Sequence, residues 1–222
     1  MTGILEKIAV CIERGKINLA SPFPPDMKGL EGADELTRKA LDSGVSPSDV
    51  LTHGLMIGMR NIGIRFRENK VYVPDVLMSA KAMKIAMKHL KPFFATGAVK
   101  RRGTFVIGTV AGDLHDIGKN LVAMMIEGNG WEVIDLGVDV STQKFFSAVE
   151  QYPSCVIGLS ALLTTTMMNM EKTIGEIKAK NPHILCIVGG APLTNDFARK
   201  IGADAYSPDP QGAVEFLNDM SK

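Results

Sequence analysis

Cysteine is scarce and scattered. Cys11, Cys155 and Cys186 are the only three in the chain, and they lack the paired spacing of a zinc or iron–sulfur site. Two of them lie inside apolar runs, so buried, reduced thiols are expected, which suits a cytoplasmic protein. A charge excess is also missing. Lysine and arginine number 25 against 24 acids, which removes the broad positive field that drives binding to nucleic acid or anionic membranes, and neither partner is expected. No apolar run approaches the ~20 residues of a membrane span, and the N-terminus lacks a signal peptide's compact apolar core. Aromatic residues make up only 6% whereas methionines number 13; methionine is an adaptable core filler, so its abundance speaks for packing before it speaks for a ligand pocket.

What is present falls into two halves of different period. Ile4, Ile8 and Cys11 or Ile12 start a short amphipathic helix ending near Gly15, and Ser21-Pro22-Phe23-Pro24-Pro25 breaks the chain into an extended connector. A second helix is expected over roughly 32–43, with Ala33, Leu36 and Ala40 on one face. Ser46, Pro47 and Asp49 form a start signal of cap, first-turn proline and first-turn acid. Leu51, Leu55, Met59, Ile62 and Phe66 then make a helical stripe. A fourth helix begins at Pro74 and carries Leu77, Ala80, Met83, Met87 and Leu90. Lys81, Lys84, Lys88 and Lys91 also share a face, either solvated or docking an acidic partner. The expectation is an all-α four-helix bundle over 1–95.

After Pro92 the period changes, and 96–103 reads as a linker. From Thr104, short β-branched runs (104–110, 132–136, 155–159, 184–188 and weakly 204–206) alternate with helical stretches at about 117–129, 141–150, 165–180, 194–201 and 211–220. Such alternation means βαβ units, hence an α/β flavodoxin-like domain over 104–222 with a five-stranded parallel sheet. Sheets of this kind bind ligands beyond the carboxyl ends of their strands.

Three segments stand at those ends. In Gly112-Asp113-Leu114-His115-Asp116-Ile117-Gly118, a loop histidine lies between two carboxylates. One ring nitrogen could meet a metal while the other donates to an acid, an arrangement that fixes the tautomer; ordinary surface polarity is the plain alternative. No further converging ligand accompanies it, so a zinc site built from protein alone is not expected. A metal bringing most of its own ligands needs only one histidine. Ser160-Ala161-Leu162-Leu163-Thr164-Thr165-Thr166 offers hydroxyls to a ligand, or to the next helix as a cap through Thr164 or Thr165. Gly189-Gly190 lets a ligand approach the backbone, or simply turns the chain.

Taken together, Asp113-x-His115-x-x-Gly118, Ser160-x-Leu162 and Gly189-Gly190 resemble the base-off/His-on cobalamin-binding family. In the helical half, Gly54 to Met59, Val71-Tyr72-Val73-Pro74 and Ser79 to Met83 look like the helical cap of methionine synthase and of corrinoid proteins in methyltransferase systems. The resemblance covers about 30–220, nearly the whole chain.

The resemblance implies a cobalamin cofactor, bound base-off with its nucleotide tail in the sheet domain and His115 as lower cobalt ligand. It makes Asp113 the partner of the other ring nitrogen and extends that relay to a hydroxyl at Thr166, where the family often has serine. Gly112, Leu114, Asp116 and Gly118 join as cofactor contacts. Ser160, Leu162 and Thr164 would line the tail channel, with Gly189 and Gly190 admitting the nucleotide. Gly58 and Tyr72 match cap positions near the corrin's upper face, although helix packing and a core edge are their plainer roles. Ile64 stands where relatives commonly carry an acid. The implied function is a methyl carrier, accepting a methyl group on Co(I) from a substrate-specific methyltransferase and delivering it from methyl-Co(III) to a second, corrinoid:acceptor methyltransferase. A reductive activase is a further implied partner, and the 94–103 segment is the expected hinge. A cobalamin-dependent regulator and the cofactor subunit of an adenosylcobalamin mutase are the alternatives.

Overall fold

A computed structural model describes residues 2–220; Met1, Ser221 and Lys222, at the outer ends of the two expected domain ranges, lie outside the described residues. The chain forms two compact units, Met1–Arg101 with Gly128–Gly130, and Arg102–Glu127 with Trp131–Lys222.

In the first unit α1 (Thr2–Glu13) is the central helix. It packs against α2 (Ala33–Asp42), α4 (Met56–Arg67) and α5 (Val73–Ala95), burying Ile8, Cys11 and Ile12. The third start signal behaves as its residues dictate: Ser46 Oγ accepts the Asp49 N–H at 3.0 Å, and Pro47 opens α3 (Pro47–Asp49). One feature escapes the periodicity. Val50–Leu55 is a π-helical turn joining α3 to α4. The extra residue it absorbs keeps Leu51 and Leu55 buried together with Met59 and Ile62.

The fourth helix corrects the expected stripe. Leu77 is exposed, while Val76, Ser79, Ala82, Met83, Ala86 and Leu90 are buried. The true face is turned by about one residue because Ser79, whose hydroxyl donates to Glu13 O at 2.9 Å, belongs to the interior. Helix α5 also runs past Pro92 to Ala95. The four lysines of this helix are all exposed. The Pro-rich connector is pinned by an unexpected core residue: Lys16 is fully buried and its ammonium donates to Ser21 O at 2.8 Å.

The second unit is a five-stranded, all-parallel sheet in the order β2-β1-β3-β4-β5, with β1 Thr104–Thr109, β2 Glu132–Asp135, β3 Val156–Ser160, β4 Leu185–Gly189 and β5 Ala205–Ser207. This is the flavodoxin-like order, whose topological switch lies between β1 and β3. Helices α6 (Ile117–Glu127) and α10 (Pro210–Met220) pack together, as do α7 (Thr142–Gln151) and α8 (Met167–Lys180); α9 (Asn195–Lys200) lies against β5. β1 is buried almost from end to end, as a parallel strand covered on both faces must be. Val106, Val110, Phe145, Ile157, Met170, Ile174 and Val188 belong to the central core. Strands β3 and β4 extend one residue further than the apolar runs suggest, so Ser160 and Gly189 close their strands and do not open the loops.

Gly58 provides a test of the helical core. A Cβ there would stand 2.5 Å from Ala9 O and 2.5 Å from Ile12 Cβ on α1. The backbone oxygen cannot rotate away, so overpacking outweighs the helix-propensity gain of alanine. Gly58→Ala is expected to lower unfolding stability by about 1–2 kcal/mol, measured by denaturant titration.

Candidate functional site

The loop after β1 and the loop after β3 leave neighbouring rungs of the sheet, because Thr109 pairs with Ser160 and Ser160 with Gly189. All three motif segments therefore meet at the carboxyl edge, on either side of the switch point. Between them sits Asp113, fully buried. Its Oδ1 accepts the His115 backbone N–H at 3.1 Å and ring Nδ1 at 2.7 Å. Its Oδ2 accepts the Leu162 and Leu163 N–H groups at 2.7 and 3.2 Å and the Thr166 hydroxyl at 2.7 Å. Burial pushes a carboxyl up, but the hydrogen bonds from Leu162, Thr166 and His115 outweigh it and hold Asp113 far below the usual carboxylate range.

An ionised Asp113 only accepts, so the proton of neutral His115 resides on Nδ1 and Nε2 carries a lone pair. The His115 side chain is half exposed, and its carbonyl is fixed by the buried Thr109 hydroxyl at 2.8 Å. Both ends of the loop are anchored as well. On one side the Asp139 carboxylate accepts the Gly112 N–H at 2.7 Å, and the Asp139 N–H donates to Asp113 O at 3.0 Å. On the other, buried Lys119 reaches Asp135 at 2.6 Å and Asn120 at 2.7 Å, while Asn120 holds Asp116 at 3.0 Å. Leu114, Ile117, Leu162, Leu163 and Met168 stay exposed on the two loops and the helix starts that follow. Five large apolar side chains in the segments flanking one histidine mark a surface built to be covered.

The hydroxyl-rich segment resolves into separate roles. Neither Thr164 nor Thr165 caps α8; Thr166 holds the N-cap position without a capping hydrogen bond, its hydroxyl directed to Asp113 and to Leu163 O. Thr164 is exposed and Ser160 half-buried. The glycines separate too. Gly190 has φ +140°, and an added Cβ would stand 1.8 Å from Ala161 O, so the protein's own backbone demands it. Gly112 has φ +80°, and a Cβ added at Gly189 would stand 3.2 Å from Ser207 O. At Gly118, in contrast, nothing lies within 4 Å of where a Cβ would sit, leaving open space beside the histidine loop. In the helical unit Gly58 is closed off by α1. Tyr72 is no core edge, being 72% exposed at the start of α5.

Several site residues left no signal in the sequence. The Leu162 and Leu163 contributions are backbone N–H groups, invisible to residue type. Thr109 reads as a strand residue, and Asp139 lies in the Gly137-x-Asp139 run after β2, outside the three strand-end motifs. Position at a strand end was the signal available for it.

The donor set tells what could bind. Among the described residues no group of three or more His, Cys, Asp or Glu comes together. Burial pushes the Cys11 and Cys155 thiols up to about 11 and Cys186 to about 12, so they stay protonated. One imidazole with a free nitrogen, oriented by a carboxylate and flanked by apolar side chains, fits a metal held in a macrocycle, in the manner of a haem's proximal histidine.

Residues 103–215 match the family model described as B12 binding domain, and residues 30–91 match a second model of the same description. A corrinoid protein of Desulfitobacterium hafniense is 38% identical over 189 residues, covering 83% of this chain and 88% of its own. A trimethylamine corrinoid protein of Methanosarcina acetivorans is 38% identical, covering 83% and 87%. Among solved structures, a chain of the methanol:cobalamin methyltransferase complex MtaBC from Methanosarcina barkeri superposes with a TM-score of 0.80 at 28% identity, covering 98% of this chain and 79% of that one.

The lowered pKa of Asp113 carries a pH signature. A carboxylate whose folded value lies below its unfolded one stabilises fully above the unfolded value, and that contribution is lost as pH falls toward the folded one. Replacing Asp113 by Asn is expected to cost about 2–3 kcal/mol at pH 7, since charge-assisted bonds are lost and an amide donor faces two N–H groups. The gap to wild type then narrows as pH drops below about 4, read from unfolding midpoints across pH.

Proposed function

This chain belongs to the B12-binding-domain family in both its helical and its sheet part, and from that premise we propose that it is a methyl-carrying corrinoid protein of a methyltransferase system. The observation that carries the site assignment is the His115 ring, held at Nδ1 by buried Asp113 with Nε2 left for cobalt. Relatives named as methylamine corrinoid proteins, and the methanol:cobalamin methyltransferase complex among the similar structures, support methyltransferases as partners. The finer reading has two of them, one loading the methyl group and one removing it, with a reductive activase restoring the reduced cofactor.

When bound, the corrinoid would supply the chemistry, the capacity to take up and give up a methyl group. The chain's own residues bind and orient. Asp113 keeps the ring in the tautomer that offers Nε2, and Thr166 and the Leu162 and Leu163 N–H groups keep Asp113 in place. Leu114, Ile117, Leu162 and Leu163 supply apolar contact, and the space beside Gly118 admits the ligand. Ser160, Thr164, Gly189 and Gly190 are assigned to the nucleotide tail, and Asp116 and Gly112 to holding the loop. Tyr72 is assigned to the cofactor, and Gly58 to packing against α1. A methylamine, methanol or a methoxy-aromatic compound is the expected class of donor.

Reconstitution with hydroxocobalamin tests the reading. The Co(II) form of protein labelled with ¹⁵N-histidine is expected to show a doublet superhyperfine splitting in electron paramagnetic resonance. His115→Ala is expected to lose it and to weaken retention by about tenfold or more. A triplet surviving in the labelled protein would place the cofactor's own base on cobalt and end the His-on assignment. Methyl transfer with purified methylamine and methanol methyltransferases, followed by the cofactor's visible spectrum, separates a carrier from a regulator or a mutase subunit.

A further inference from the structure

The loop after β2 contributes a residue that no strand-end motif included. Asp139 has φ 52°, in the left-handed region where a non-glycine residue is uncommon and Asn, Asp and Gly are the tolerated types. In that conformation it makes a reciprocal pair with the histidine loop. Its carboxylate accepts the N–H of Gly112, itself at φ +80°, at 2.7 Å, and its own N–H donates to Asp113 O at 3.0 Å. The two bonds bracket the peptide that joins Gly112 to Asp113. The flanking chain is laid along the end of β1: the Thr109 N–H donates to Gly137 O at 3.0 Å and the Val140 N–H to Thr109 O at 2.9 Å. Thr109 in turn holds the His115 carbonyl at 2.8 Å.

We propose that Asp139 is a positioning residue for the cobalt ligand, fixing the Gly112–Asp113 backbone so that the Asp113 carboxylate meets His115 Nδ1. The side chain of Asp113 is already anchored from the β3 side by Leu162, Leu163 and Thr166. On the backbone its N–H donates to Val110 O at 3.1 Å, which leaves the Gly112 N–H before it and its own carbonyl to be fixed before the direction of the ring two residues on is defined. Asp139 fixes both, and a backbone held in a sparsely populated conformation at such a place is the kind of strain that functional loops retain. The role rests on the cobalamin reading for its purpose, though not for its geometry.

Three substitutions separate the acceptor from the backbone. Asp139→Asn keeps an oxygen acceptor and tolerates the left-handed conformation. Asp139→Gly keeps the conformation and deletes the acceptor, and Asp139→Ala deletes the acceptor and adds strain. In the cofactor-free protein, ¹⁵N chemical shifts of the His115 ring report its tautomer. Wild type and Asp139→Asn are expected to hold the Nδ1–H form, while Asp139→Gly and Asp139→Ala populate Nε2–H. Hydroxocobalamin affinity is expected to fall by about tenfold in the glycine and alanine variants and by less than about threefold in the asparagine variant. The ¹⁵N-histidine splitting of the Co(II) form would weaken in the same order, with circular dichroism confirming a folded chain in each. A glycine variant with wild-type tautomer and affinity would overturn the proposal, as would an asparagine variant no better than alanine. If wild-type protein showed no histidine splitting, the cobalt-ligand reading would fall, and the tautomer series would still decide what Asp139 does.

Discussion

A single buried carboxylate organises the carboxyl edge of this sheet. Asp113 is cut off from water and keeps its charge only because five donors replace the lost hydration: two from His115, two backbone N–H groups from the loop after β3, and the Thr166 hydroxyl. Burial of an ion with fewer partners would neutralise it or unfold the edge. Three of these bonds, from Leu162, Leu163 and Thr166, tie two loops that are far apart in sequence and adjacent in space, so forming the charge site and forming the loop pair are one event. The histidine, the threonine and the leucine backbone have their present places because this carboxylate must be satisfied.

That constraint sets what the chain can do chemically. A carboxylate with both oxygens engaged is an orienting group and a poor free base. A histidine so oriented offers one nitrogen outward, and the three thiols are buried and protonated. Nothing in this set is a nucleophile poised for a substrate of its own. The chemistry belongs to the bound cofactor, whose identity membership in the B12-binding family supplies; holding it is the task proposed for this histidine. A metal-ligating histidine depends on its hydrogen-bond partner as well as on its own ring, and the partner of His115, Asp113, is itself held by the backbone N–H groups of Leu162 and Leu163.

Much of this was legible in the sequence because it is written in residue type. Alternating β-branched and helical runs foretold a parallel sheet, and three small motifs at strand ends pointed to one edge of it. Thr166, not Thr164 or Thr165, holds the N-cap position, and its hydroxyl goes to Asp113 in place of a capping bond. The stripe on α5 was misplaced by a residue because Ser79 reads as polar, whereas its hydroxyl is satisfied inside by Glu13 O. The π turn at Val50–Leu55 was hidden for a related reason: periodicity records which residues are apolar, not how many backbone units lie between them. Leu162, Leu163 and Asp139 act through backbone groups or through a conformation, and neither is spelled by side-chain chemistry. Buried Lys16 violated the rule that lysines face water; its ammonium donates to Ser21 O, in the Pro-rich connector for which the sequence offered no account.

The pairing of Thr109 with Ser160 and Ser160 with Gly189 has an evolutionary corollary. Because the three motifs depart from successive rungs, their relative placement is decided by hydrogen-bond register and is blind to the length of chain that runs between them on the opposite side of the sheet. The crossover helices can therefore lengthen, shorten or change their outer surfaces to suit different partner enzymes without disturbing the histidine. A one-residue deletion inside β3 would reverse which face each of its side chains meets and carry Ser160 off its rung. The placement of the histidine is thus tolerant of change in the connections and sensitive to change in the strands.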